Sequence, residues 1–301
     1  MKLYFLKFAS FCATLLTWII PNFHKKINGI KTKRNLMYKD ENCNRYNKFD
    51  VYYEEKNTNN SKKPVIVYIH GGGWALYTKE IYTTQSRKFA KMGSVVFCCN
   101  HSLSPKYKMD TIMDDVYHAI KRARELAPTF GGDPDNIILA GDSSGAHIAM
   151  LASVFAKDQI DGYTKEISDA IKGLILFYGV YDFSTAIESK FVNMKTYAHA
   201  CLPGKIGTEE HTFAMKHYSP LSHDLTGIPK TFIVSGKIDR LHETQSHELV
   251  RRLDECGESS KKVFFSKKNI KAMHAFMIFD DISTTTRVHR ELEQFIKESN
   301  R

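Results

Sequence analysis

Gly141-Asp142-Ser143-Ser144-Gly145 sets a serine between two glycines, directly after the apolar run Ile137-Ile138-Leu139-Ala140 and directly before the helical-looking stretch 146–156. Glycines on both sides let a chain turn sharply from strand to helix, which leaves the Ser143 hydroxyl on an exposed, strained corner. The unpaired N–H groups that open the helix favour negative charge developing beside that hydroxyl. A second glycine-rich turn, His70-Gly71-Gly72-Gly73-Trp74, follows the strand-like run Pro64–Ile69. Consecutive glycines present backbone N–H groups with no side chain in the way, so those of Gly72 and Gly73, with that of Ser144, can converge on one tetrahedral oxyanion. The chemistry implied is acyl transfer through a serine nucleophile.

Two later segments join these: Gly236-Lys237-Ile238-Asp239-Arg240-Leu241, after the strand-like Thr231–Val234, and His274-Ala275-Phe276, 35 residues beyond Asp239. From about Tyr46 to its C-terminus the chain resembles the hormone-sensitive-lipase-like branch of the α/β-hydrolase fold, a group of carboxylesterases and lipases. The resemblance rests on the H-G-G-G-W loop, the elbow, a G-x-x-D-x-L acid turn and an H-x-F histidine loop. It implies a triad in the order Ser143, Asp239, His274, with His274 as general base and then general acid. Asp239 would fix the imidazole tautomer and stabilise the transient imidazolium. No metal or organic cofactor is called for.

The chain departs from that family's pattern in places. Ser144 and Ala146 replace an alanine and a glycine of G-D-S-A-G-G, both by small residues, and His101-Ser102-Leu103-Ser104-Pro105-Lys106 keeps only the Leu and Pro of Y-R-L-A-P-E. Gly145-Ala146-His147-Ile148-Ala149 is similar to the continuation found in prenylcysteine methylesterases and to that of arylformamidases, which share the fold.

Positioning these groups requires a scaffold, and 301 residues at 43% hydrophobic suffice for one large core. Further short apolar strands at Val95–Cys99, Ile171–Phe177 and Val263–Phe265 alternate with helical spacing such as Ile112, Val116, Ile120, Ala123. The expectation is an α/β chain with a mostly parallel sheet, helices on both faces and a small cap. Residues 21–45 read as a connector, residues 46–301 as the catalytic domain, and residues 182–218 break the alternation as a cap insertion. Trp74, Tyr181 and Phe276 are candidate substrate-lining aromatics. Asp142, Asp182 and His70 are expected to orient the surrounding turns, and His242 and His247 to lie on a helix surface.

The formal charge is +10, yet the sequence carries no zinc-ligand spacing, aromatic RNA-binding signature or basic recognition helix, which argues against a nucleic-acid partner. Leu3–Ile20 is apolar save Lys7, Ser10, Thr14 and Thr17 and ends at Pro21, so residues 1–20 read as a signal anchor or signal peptide. That reading implies membrane association and the endoplasmic reticulum or secretory pathway. Six scattered cysteines show no disulfide framework, with Cys98 and Cys99 expected on opposite faces of one strand; Asn59-Asn60-Ser61 and Asn100-His101-Ser102 are glycosylation sequons. The expected activity is hydrolysis of a carboxylic ester held as an acyl-enzyme on Ser143, with formamide hydrolysis or ligand binding without catalysis as the rivals. Ser143→Ala should abolish turnover of an activated ester while leaving the circular dichroism spectrum unchanged, and retained turnover would refute a serine mechanism.

Overall fold

The computed structural model describes residues 25–55, 62–279 and 283–299. One sheet contains β1 (Ile30–Met37), β2 (Lys48–Glu54), β3 (Lys63–Ile69), β4 (Val95–Cys99), β5 (Gly132–Asp142), β6 (Ile171–Phe177), β7 (Thr231–Gly236) and β8 (Ser260–Phe265). Their spatial order is β1-β2-β4-β3-β5-β6-β7-β8. β2 runs antiparallel to β1 and β4, and the strands from β4 across to β8 are parallel. Parallel strands are covered on both faces and so read as continuous Val/Ile/Leu runs. That is why β4 and β6 have the bounds expected from sequence.

The described helices are α1 (Thr83–Lys91), α2 (Met109–Leu126), α3 (Ser144–Asp158), α4 (Lys165–Ala170), α5 (Phe183–Glu188), α6 (Met194–Cys201), α7 (Glu209–His217), α8 (Glu248–Glu255) and α9 (Ser283–Glu298). Val65, Val67 and Ile69 of β3 face a core shared with Ile112 and Val116 of α2, Ile148 of α3 and Leu249 of α8. Ile66 and Tyr68 face the other core, with Phe89 of α1 and Leu292 of α9. This period-two alternation also sends Cys98 and Cys99 to opposite faces, as the sequence suggested. α3 is apolar on all sides and buried from Ser144 to Ala156, which makes it the central helix on its face.

Residues 21–45 are not simply a connector, because β1 lies within them and extends the sheet to an edge. Its exposed Lys31, Lys33 and Arg34 give it no apolar alternation to read, and such charges are what an edge strand tolerates. Its register with β2 breaks between Lys33 and Leu36, where Asn35 has φ 57° and its N–H donates to Asp50 Oδ1 at 2.8 Å. Asp50 also receives Lys79 Nζ at 2.8 Å, a pair in which both side chains are about 1–2% exposed. Burial opposes the Lys79 charge, but Asp50 and Glu80 outweigh it and hold the ammonium above its ordinary range. Lys79 N–H in turn donates to Asn100 Oδ1 at 2.6 Å. Asn100 is therefore buried and is no accessible glycan acceptor, contrary to the sequon reading.

Residues 182–218 form three short helices, α5 to α7, above the C-terminal ends of the parallel strands. The two ends of this insertion are tied together: Leu221 N–H donates to Tyr181 O at 3.0 Å and Phe183 N–H to Ser219 Oγ at 2.9 Å. Gln245 Oε1 accepts from the N–H groups of both Tyr181 and Asp182. Asp182 caps α5 by accepting from Thr185 N–H, the orienting role expected of it. Residues 1–20 and the Asn59 sequon lie outside the described residues. No helix among the described residues is long and apolar enough to cross a membrane.

Removing one partner of a buried ion pair leaves the other charge stranded. Lys79→Met should cost about 3–5 kcal/mol of unfolding free energy, measurable by denaturant titration.

Candidate active site

β5 delivers Ser143 and α3 begins at the next residue, so the hydroxyl stands at a strand-to-helix corner. Ser143 has φ 52° and ψ −119°, a strained conformation for a residue with a Cβ. Two backbone bonds hold it there: its N–H donates to Phe177 O at 2.9 Å and its carbonyl accepts from His147 N–H at 3.1 Å. A Cβ added at Gly145 would lie 2.1 Å from Ile69 O, so only glycine lets α3 approach the end of β3 this closely.

The structure brings the three sequence-assigned residues together from three separate loops. Asp239 lies just past β7 and His274 in the loop after β8. His274 Nδ1–H donates to Asp239 Oδ2 at 2.6 Å, and Nε2 stands 2.9 Å from Ser143 Oγ. The Asp239 carboxylate is about 1% exposed and is further held by Leu241 N–H at 3.0 Å. The ring of Phe191 meets the His274 ring edge-on at 4.5 Å and that of Tyr178 approaches at 5.0 Å, limiting where the imidazole can swing. This tautomer leaves Nε2 free to take a proton from the serine, the arrangement nucleophilic catalysis requires.

Gly72, Gly73 and Ser144 line the same cavity as Ser143. Gly72 has φ 119° and Gly73 φ 61°, backbone values that glycine adopts without strain. The loop's position is set from beneath by Asp142, whose Oδ1 accepts from Gly71 N–H at 2.9 Å and whose Oδ2 accepts from Tyr82 Oη at 3.0 Å. Burial raises the Asp142 carboxyl to about 6, although hydrogen bonds from Tyr82 and Gly71 work the other way. His70 stacks on His101 at 4.4 Å, and each points Nδ1 at the carbonyl of the following residue, 2.7 Å and 2.8 Å away. Burial lowers both rings' basicity, so His70 is a neutral support for the loop, as expected, with no part in proton transfer.

Trp74 lines the cavity at the far end of the glycine loop. Its Nε1–H donates to His147 Nδ1 at 3.1 Å, and His147 Nε2–H donates to Tyr218 O at 2.6 Å. Burial brings His147 down to about 4, which keeps the neutral tautomer this bridge needs. Glycine loop, central helix and cap exit are thus joined through one imidazole.

Tyr181 and Phe276 do not line the cavity, correcting the sequence expectation. Tyr181 folds back over Gly179 and Ala146, and Phe276 packs between Tyr178 and Phe265; both are buried. His242 is likewise buried against Phe264 and not on a surface, whereas His247 is exposed. The residues that do close the cavity include Tyr77, Val180, Phe191, Met194, Tyr197 and Ile278. They sit on cap and loop positions that share no motif, so sequence pattern had no signal for them. Among the described residues no group of three or more His, Cys, Asp or Glu is placed to hold a metal ion.

A family model described as the alpha/beta hydrolase fold matches residues 66–277. The chain is similar to the esterase LipQ of Mycobacterium tuberculosis, 29% identical over 247 residues, 81% of this chain and 56% of that protein. It is also similar to a probable isoprenylcysteine alpha-carbonyl methylesterase of Oryza sativa subsp. japonica, 25% identical over 219 residues, 72% of this chain and 50% of that protein. The chain spans a little over half the length of the first curated relatives it matches. In fold it is similar to esterase B of Lactobacillus rhamnosis, with a TM-score of 0.81 at 17% identity, covering 97% of this chain and 95% of that one. The esterase of Pyrobaculum calidifontis gives a TM-score of 0.78 at 19% identity, over 99% and 94% of the two chains.

Asp142 yields a pH test. Its carboxyl titrates near 6 when folded and near the ordinary value of about 3.9 when unfolded, so its contribution to stability is present below about pH 4 and lost as pH rises through 6. Relative to Asp142→Asn, the wild-type protein should lose about 2 kcal/mol between pH 4 and 6, read from denaturant titrations of the two proteins.

Proposed function

The chain belongs to the α/β-hydrolase fold family, and on that premise we propose that it is a serine carboxylic ester hydrolase working through an acyl-enzyme on Ser143. The observation that carries the proposal is the unbroken line from Asp239 Oδ2 through His274 to Ser143 Oγ, at 2.6 Å and 2.9 Å. In the first step Oγ bonds to the ester carbonyl carbon while its proton passes to His274 Nε2. The oxyanion is met by the amides of Gly72, Gly73 and Ser144, which line the same cavity. Collapse breaks the C–O bond to the alcohol, which leaves with the Nε2 proton. Water then attacks the acyl-enzyme, giving its proton to Nε2, and the acid departs as that proton returns to Ser143. Nδ1–H stays on the imidazole throughout, with Asp239 stabilising the positive charge.

Cavity size supports a short acyl group. The space above Ser143 is ≈ 170 Å³ and is walled in part by Tyr77, Met194 and Tyr197. That is below the roughly 300 Å³ at which drug-sized pockets begin and close to the roughly 150 Å³ that holds benzene. A second reading, a methyl ester of a prenylated cysteine, draws on the Gly145-Ala146-His147 continuation and on the name of the rice relative. There the alcohol released is methanol and the large acyl part lies outside the cavity. The apolar run Leu3–Ile20 supports a membrane-tethered enzyme of the secretory pathway.

A fluorophosphonate should label Ser143 and no other residue, read by mass spectrometry of the modified peptide; absence of label on folded protein would overturn the serine mechanism. Among p-nitrophenyl esters, kcat/KM should fall on the order of tenfold or more from butyrate to octanoate. Tyr197→Ala should narrow that ratio by enlarging the cavity, and equal rates along the wild-type series would remove the short-acyl reading.

A further inference from the structure

Seven large apolar side chains stand exposed among the described residues, and five of them lie on the loops that carry or cover the triad. Val192 follows Phe191, whose ring meets His274; Ile238 precedes Asp239; Ile270 and Met273 precede His274; and Phe279 follows Ile278, which lines the cavity. Arg240 Nη1 donates to Lys190 O at 2.6 Å, so the cap and the β7 loop are neighbours at this rim. The other two, Ile206 and Phe213, are farther out on the cap. Phe213 stacks on His217, which bonds Asp161 beyond the C-terminal end of α3.

Cations are interleaved with the rim's apolar side chains. Lys190 and Lys195 flank Val192, Lys237 and Arg240 flank Ile238, and Lys267, Lys268 and Lys271 bracket Ile270; all are exposed. The one acid within 190–195, 237–240 and 266–279 is Asp239, which is buried and engaged by His274. Glu188 and Glu243 stand exposed at the flanks, and Asp280-Asp281 follow outside the described residues. At the start of the described chain, Lys25 N–H donates to Thr84 Oγ1 at 3.0 Å, in the first turn of α1. The apolar run Leu3–Ile20 lies immediately upstream.

We propose that this rim docks on an anionic lipid bilayer. Apolar side chains ringed by lysine and arginine match the boundary between acyl chains and phosphate headgroups, the first by burial and the second by charge. The mouth of the site then faces the bilayer, and the substrate is an ester presented from it: the short acyl arm enters the cavity and the remainder stays in lipid. Only this last step rests on the esterase reading, since docking is measured without turnover.

The test places a tryptophan on the rim of the full chain, Ile270→Trp, with Phe213→Trp as the control away from it, each read as a difference spectrum against the parent. Emission of Ile270→Trp should shift to the blue with vesicles of phosphatidylcholine and phosphatidylserine and much less with phosphatidylcholine alone. Salt near 1 M, where screening acts within about 3 Å, should reverse the shift. Adding Lys267→Glu, Lys268→Glu and Lys271→Glu should raise the lipid concentration needed for half the shift by about tenfold or more. The proposal is overturned if Ile270→Trp does not shift while the chain floats with the vesicles, if Phe213→Trp shifts equally, or if polyglutamate produces the shift and vesicles do not. Hydrolysis of soluble p-nitrophenyl butyrate by the unmodified chain is followed alongside; its absence would sink the esterase reading and leave the docking result standing.

Discussion

The approach of Gly145, in the first turn of α3, to the carbonyls of Ile69 and His70 at the end of β3 is the contact on which the site depends. Two backbones that touch have no slack, so the serine corner and the glycine loop keep one separation whatever the rest of the chain does. The strained Ser143 conformation costs on the order of 1–3 kcal/mol and persists because its surroundings determine it so heavily. Those surroundings are the fully buried α3 behind it and the β5–β6 pairing beside it, with Phe177 O taking the Ser143 N–H.

Electrostatic matching follows from the same crowding. Asp142 precedes the serine and is forced beneath the glycine loop, where burial favours its neutral form and a ring of donors favours the charged one. The histidines nearby, His70, His101 and His147, are all driven toward the neutral state by burial. The imidazole beside the serine differs from them in being partly open to solvent and in donating to a carboxylate of its own, Asp239. One residue type thus supplies both structural props and a proton carrier, separated by access to water and a charged partner.

What the sequence disclosed tracks what each element must satisfy alone. β4 and β6 are buried on both faces and write that requirement as unbroken apolar runs; Ser143, Gly72 and Gly73 write theirs as glycine spacing that few other structures need. β1 asks for neither, since an edge strand carrying Lys31, Lys33 and Arg34 satisfies half its bonds with one neighbour and leaves the rest to water. Aromatic side chains carry no such signature. Trp74, Tyr181 and Phe276 are all bulky and equally buried, and only the turn over Gly179 and the packing of Phe265 decide that the latter two serve the core. Phe191 and Tyr197 could be found only by folding the cap over the triad.

The tied ends of that cap have a consequence for how such a protein can change. Tyr181 and Leu221 are bonded to one another and Gln245 clamps the entry from below, so the intervening 182–218 hangs from a closed neck. A segment held this way is a cassette: it can be lengthened, shortened or exchanged between relatives without altering the distance across its base. The triad stands below the neck, and the segment above it supplies Phe191, Met194 and Tyr197 to the cavity wall, while Trp74, Leu76, Tyr77, Val180 and Ile278 come from outside it. Recombination there redraws part of the wall while the neck keeps its span, provided a foreign cap matches the seams to the body, among them the Tyr218–His147–Trp74 bridge, the Lys190 carbonyl that accepts from Arg240 and the Ala200 carbonyl that accepts from Lys108.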